Sequence, residues 1–274
     1  MKLYISIDME GITGLADTTF IDSGGRNYRR GQELMTMEAN AVAETALRSG
    51  CTEVLVNDSH SKMNNLLIER LHPEVQFITG DVKPFSMVQG LGPGFTGAAF
   101  LGYHAMASKA GVLSHTMIFG VRSMYIGDRE IGELGFNAYV AGHYGVPVLL
   151  VAGDDEAAAE AEALIPGVVT ASVKRRLSRT SALCLTPEKS EELLRGKTAE
   201  ALAAKDRIQP LSPPERPVLS IEFANYGQAE WASLMPGTQL EQRSPVVTFP
   251  ASDILEAYRA MLVMTELASR TSFC

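Results

Sequence analysis

Lys2-Leu3-Tyr4-Ile5-Ser6-Ile7-Asp8-Met9-Glu10-Gly11 opens the chain and decides how the rest is read. Leu3 to Ile7 is an apolar, β-rich run of strand length. It ends in two acids, Asp8 and Glu10, spaced i, i+2. Side chains alternate faces along a strand, so this spacing predicts both carboxylates on one side. Two like charges held together are costly unless something positive lies between them, and a metal ion is the simplest candidate.

Outward from this stretch, strands alternate with helical patterns. Arg30 to Ser49 carries apolar residues near helical spacing and stops at Gly50. Glu53 to Val56 is the next strand, followed by the loop Asn57-Asp58-Ser59-His60. Met63 to Leu71 fits a short helix stopped by His72-Pro73. Val75 to Ile78 and Ala98 to Leu101 are further strands, and Gly127-Asp128 turns a hairpin. Glu133 to Tyr144 is helical, and Pro147 to Val151 is another buried strand. Short, nearly all-apolar strands between helices predict an α/β fold: a mostly parallel sheet with helices on both faces.

The second half changes character. Glu156 to Leu164 and Glu188 to Ala204 are Ala/Glu-rich helices, and residues 211–217 form a Pro-rich connector. Val218 to Phe223 and Val246 to Phe249 read as strands, and Ile254 to Ala268 as a closing amphipathic helix. This pattern predicts a metal-binding α/β domain over 1–165 and a smaller α+β domain over 166–274, part of which folds back on the first sheet in an alternative reading.

The totals exclude several function classes. The 274 residues carry a formal net charge of −8, which argues against nucleic acid as a partner. No run approaches the ~18 apolar residues that span a bilayer, and the start lacks a signal-peptide pattern. Cys51, Cys184 and Cys274 are far apart and form no zinc or redox pair. A cytoplasmic protein with free thiols is expected.

Ligand sites in parallel α/β sheets form at the carboxyl ends of strands. Three strand ends here deliver metal-type side chains: Asp8 with Glu10, His60, and His104 in Gly102-Tyr103-His104. Carboxylate oxygen with imidazole nitrogen suits zinc, and also manganese or iron. Each piece alone has a plainer reading, since acids after strands form turns and caps and histidines serve structural roles. Their coincidence at strand ends carries the inference. His115, between hydroxyls in Ser114-His115-Thr116, is either a hydrogen-bonded core histidine or a catalytic base or nucleophile. Glu133 opens a helix, where an acid also favours the helix dipole. Asp154 and Asp155 read as helix caps, His72 as a turn residue and His143 as a helix C-terminal residue. Gly90-Leu91-Gly92-Pro93-Gly94 imitates part of a dinucleotide fingerprint, but a strand follows where a helix is needed, and NAD binding is rejected.

Residues 6–11, Asn57-Asp58-Ser59-His60, Gly102-Tyr103-His104, Ser114-His115 and Gly132-Glu133-Leu134 resemble the bacterial dinuclear zinc D-aminopeptidases of dipeptide-transport operons. The resemblance spans the chain, including residues 223–231 and the terminal 270–274. It implies Asp8, Glu10, His60, His104 and Glu133 as ligands of two zinc ions per subunit and His115 as the catalytic residue. It also implies short peptides with an N-terminal D-residue, D-Ala preferred, as substrates, and a homo-oligomer, a decamer built on rings. The alternatives are a metal-dependent amidase or deacetylase of another small substrate and a non-enzymatic peptide-binding module.

Overall fold

The structure, a computed structural model, describes residues 1–271. Twelve strands occur among them: β1 (Lys2–Ile7), β2 (Glu53–Asp58), β3 (Gln76–Ile78), β4 (Gly97–Tyr103), β5 (Val121–Ile126), β6 (Arg129–Glu130), β7 (Val148–Asp154), β8 (Val169–Ser178), β9 (Ser181–Cys184), β10 (Val218–Phe223), β11 (Gln239–Leu240) and β12 (Val246–Pro250). The α-helices are α1 (Tyr28–Arg48), α2 (Glu133–His143), α3 (Asp155–Leu164), α4 (Pro187–Ala204), α5 (Tyr226–Ala232) and α6 (Ile254–Ala268). None of these helices is long and apolar enough to cross a membrane.

Seven strands form the main sheet in the order β3-β2-β1-β4-β7-β8-β9. All neighbours are parallel except the edge strand β9. The expected mostly parallel α/β sheet is therefore present. Its central strands are apolar throughout because helices cover them: α1 packs with α4, and α2 with α3 and α6. The chain runs from β1 outward through β2 to β3, then returns to place β4 on the other side of β1. The crevice beyond the carboxyl ends of β1 and β4 is thus a topological switch point, where parallel sheets bind ligands.

The second sheet is antiparallel, in the order β11-β12-β10-β5-β6. It does not begin at the expected boundary of 165/166. β5 and β6 lie in its ladder through the β5–β10 pairing, while β8 and β9 extend the first sheet. Paired strands need not be close in sequence, and residues 121–130 complete a sheet whose other members come after 217.

The helix expected over Met63–Leu71 is replaced by a loop with a single 3-10 turn at Ile68–Arg70. The Asp58 carboxylate accepts from the backbone N–H of Asn65 at 2.5 Å and of Leu66 at 2.8 Å. Met63 also takes a left-handed φ of 53°. The β8–β9 hairpin has no counterpart in the sequence reading. Asp154 caps α3 by accepting from the Ala157 N–H at 2.8 Å, as expected.

β1 ends at Ile7, so Asp8 and Glu10 lie beyond the strand rather than on one face of it. Their common direction comes from the turn that follows. Asp8 N–H still donates to the Leu101 carbonyl, Met9 is buried in the core, and Gly11 N–H donates to the Gly102 carbonyl at 2.7 Å. Only glycines permit that approach. A Cβ on Gly11 would stand 2.1 Å from the Tyr103 oxygen, and one on Gly102 2.1 Å from the Asp8 oxygen. Gly102 also has φ +66°, a conformation unfavourable to L side chains.

Gly102→Ala should therefore lower unfolding free energy by about 3 kcal/mol or more, combining backbone overlap with an unfavourable φ. Urea denaturation followed by circular dichroism checks this. An unchanged midpoint would show that the two strand ends are free to separate.

Candidate metal centre

Asp8 and Glu10 follow β1, His60 lies two residues after β2, His104 directly follows β4, and Glu133 is the first residue of α2. All five are buried, with exposures of 7 % or less. His60 Nδ1 lies 3.3 Å from Asp8 Oδ1 and 3.0 Å from Glu10 Oε2. His104 Nε2 lies 3.4 Å from both Asp8 Oδ2 and Glu133 Oε2. The sequence-predicted ligand set thus converges on one place, and Asp8 divides its two oxygens between the two histidines.

The other nitrogen of each ring fixes its orientation. His60 Nε2–H donates to the Ile21 carbonyl at 2.9 Å, and His104 Nδ1–H to the Ala105 carbonyl at 3.0 Å. A carbonyl oxygen only accepts, so in each neutral ring the nitrogen facing the acids carries a lone pair. Lone pair then faces carboxylate, an arrangement that demands a proton or a cation. Burial alone would depress both imidazole pKa values. The carboxylates overturn this: Glu10 and Asp8 hold His60 well above its ordinary value, and Glu133 and Asp8 do the same for His104. Burial and the Glu10 charge in turn raise Asp8.

The donor set fits a metal. Glu10 Oε2 and His104 Nε2 are buried without hydrogen-bond partners among the described residues. Asp8, Glu10 and His104 each offer a ligand atom, all within 4.8 Å of one another, and so do His104, His115 and Glu133. Nitrogen and carboxylate ligands oriented by backbone carbonyls are the ordinary surroundings of zinc.

His115 stands one step back. Its Nε2 is 4.0 Å from Glu10 Oε1 and from Glu133 Oε1, farther than the 3.0 to 3.4 Å of the other two histidines. Its Nδ1–H donates to the Leu113 carbonyl at 2.9 Å, which leaves Nε2 able to take a proton. The ring stacks on His104 with centroids 4.3 Å apart. His115, Glu133, Asp8, Glu10 and His60 line one cavity of about 810 Å³. His143 is exposed and His72 half-buried in its turn, both outside this group. Ser272, Phe273 and Cys274 lie outside the described residues.

Two lysines escaped the sequence reading. Lys174, on β8, is 2 % exposed and donates to the carbonyls of Glu10, Ile12 and Leu15. It ties down the loop that carries Glu10. Lys83 is 7 % exposed, lines the cavity, and donates to Asn57 Oδ1 and the Asp58 carbonyl. Lys174-Arg175-Arg176 reads as a solvated basic run, and Lys83 has no motif around it.

Comparison with known proteins agrees with the site. The D-aminopeptidase family, peptidase family M55, matches residues 1–263. The D-aminopeptidase of Bacillus subtilis strain 168 is 68% identical over 274 residues, covering 100% of both chains. A solved structure of the Zn-dependent D-aminopeptidase DppA from Bacillus subtilis, described as a self-compartmentalizing protease, superposes with a TM-score of 0.99. It is likewise 68% identical and covers 100% of each chain.

A divalent cation should raise the melting temperature of chelator-treated protein, because it replaces the protons that the buried cluster otherwise requires. At a thousandfold excess over Kd the gain is about 4 kcal/mol. His60→Ala and His104→Ala should each lose much of that shift and bind less metal by elemental analysis. Full metal content in either variant would remove that histidine from the ligand set.

Proposed function

The chain belongs to the D-aminopeptidase family, and on that premise we propose that it releases N-terminal D-residues, D-Ala preferred, from short peptides at a two-zinc centre. The observation that carries the two-ion reading is the division of Asp8. One oxygen faces His60 with Glu10, and the other faces His104 with Glu133. His60, Glu10 and one Asp8 oxygen would hold the first ion. His104, Glu133 and the other Asp8 oxygen would hold the second. Charge supports this count. One divalent ion would leave three buried carboxylates with a net −1, whereas two leave +1, which an attacking or substrate oxygen can offset.

When bound, zinc polarises the scissile carbonyl and makes water acidic enough to attack near neutral pH. The chain's own contribution is to orient and to move protons. The carbonyls of Ile21 and Ala105 hold the two ligand imidazoles in one tautomer. The Met117 N–H donates to Glu133 Oε1 at 2.5 Å and fixes that carboxylate. His115 Nε2 takes the proton of the attacking water and returns it to the leaving nitrogen as the C–N bond breaks. The products are a free D-amino acid and a peptide shortened by one residue.

The subunits assemble into a homo-oligomer, a ring-based decamer whose cavities open on an internal chamber. Likeness to a self-compartmentalizing protease over the whole chain supports this.

Paired D-Ala and L-Ala dipeptides, with and without chelator, test the reading. Turnover should favour the D-peptide and vanish with the metal, and equal rates on both would defeat it. His115→Ala should keep its zinc while kcat falls by about 10²- to 10⁴-fold, the range of a lost general base. Retained turnover would remove His115 from the chemistry.

A further inference from the structure

The cavity wall holds one feature that the hydrolysis does not use. Lys83 Nζ donates to Asn57 Oδ1 at 2.8 Å and to the Asp58 carbonyl at 2.6 Å, both uncharged acceptors. An ammonium carries three N–H groups, so one remains, and the described residues offer it no acceptor. Among the described residues no carboxylate lies within ion-pair distance of it. The Asp58 oxygens are taken by the N–H groups of Asn65 and Leu66 and the Asn65 side chain. Asp81 pairs with the exposed Lys62 at 3.2 Å. Asp58 and Asp81 are near enough to favour its charge but neither pairs with it, and the lysine borders open space rather than packed core.

Lys174 provides the contrast within the same molecule. It too is buried, but its three N–H groups all meet backbone carbonyls and it does not border the cavity. That is a lysine whose role is complete in the folded chain. Lys83 has one donor to spare, on the wall of the cavity that Asp8, Glu10, His60, His115 and Glu133 also line. Burial brings its pKa down to about 8, so it stays charged at neutral pH.

We propose that Lys83 receives the C-terminal carboxylate of the substrate, so that the enzyme selects short peptides with a free C-terminus. This rests on the peptidase reading above. Asp22 and Glu266, acids outside the proposed ligand set, also line the cavity, so its wall offers both signs of charge to the two ends of a zwitterionic peptide. A peptide lengthened or capped at its C-terminus loses the ion pair.

The test uses the zinc-loaded full-length protein and two substrates, D-Ala-Gly and its C-terminal amide D-Ala-Gly-NH2. In the wild type, kcat/KM should favour the acid by about 10- to 100-fold, the value of a charge-assisted hydrogen bond, and the difference should lie in KM. In Lys83→Met the ratio of acid to amide should collapse toward one, and Lys83→Arg should restore most of it. Equal kcat/KM for acid and amide in the wild type would overturn the proposal. So would a Lys83→Met variant that keeps the full ratio while losing kcat on both substrates. A wild type that cleaves neither peptide defeats the peptidase reading instead. If Lys83→Met does not fold, judged by circular dichroism and zinc content, Lys83→Gln supplies a side-chain donor without the charge and faces the same two criteria.

Discussion

Three buried carboxylates set against two imidazole lone pairs form the arrangement on which the rest of this molecule is organised. Such a cluster repels itself, and nothing in the apolar core can screen it. Its members are held together by bonds made elsewhere. Each of the two imidazoles, His60 and His104, is anchored through its far nitrogen to a backbone carbonyl. Glu133 is anchored by the Met117 N–H, and Asp8 by the N–H of Met9 at 2.8 Å. The loop behind Glu10 is anchored by Lys174. The geometry is therefore in place before a cation arrives, so the metal need not order its own ligands.

The sheet makes this preorganisation possible. Crossing from β1 to β2 on one side and placing β4 on the other leaves three parallel carboxyl ends side by side. Gly11 and Gly102 let two of these ends touch through their backbones, bringing His104 beside Asp8. Behind them a buried chain of hydroxyls and an amide links β1, β4, α2 and α6. Ser6 meets the Tyr103 hydroxyl at 2.7 Å, Asn137 donates to that hydroxyl at 2.8 Å, and Tyr258 donates to Asn137 at 2.9 Å. Polar groups at this depth must be matched, so the network favours one packing of the helices against the strand ends.

What was legible in the sequence follows from the range of each signal. Strands such as Leu3–Ile7 and helices such as Ile254–Ala268 announce themselves by local periodicity, and both are present. The histidines after strands were legible because parallel sheets converge their carboxyl ends. Glu133 was not legible from local pattern, since an acid at a helix start is ordinary, and it came from family resemblance. The apolar pattern over Met63–Leu71 is helical, but Met63 takes a left-handed φ of 53° that a helix does not allow. The β5–β10 pairing joins residues about a hundred apart, which no local window detects. Lys83 and Lys174 look like surface lysines in sequence, and only the carbonyls around them reveal otherwise.

At the proposed metal centre, the composition also shifts the burden of catalysis. Carboxylate ligands bind cations well but donate charge to them, which weakens their pull on a carbonyl. In the proposed reaction, proton handling falls to a group close to the ions but outside the proposed ligand set. His115 meets that description, and its placement has a cost in the backbone. Leu113 and Met117, two residues to either side, have left-handed φ values of 54° and 62°. Such strain persists only where surroundings impose it. Here the Leu113 N–H is bound by the Arg179 carbonyl, the Ser114 carbonyl by the Arg179 guanidinium, and the Met117 N–H by Glu133. Arg179 also lies over the Phe119 ring, which packs against His115. The β8–β9 turn thus acts as a brace for the His115 loop. Glu133 thus touches both the acid–imidazole cluster and the His115 loop, so the spacing between them cannot drift independently.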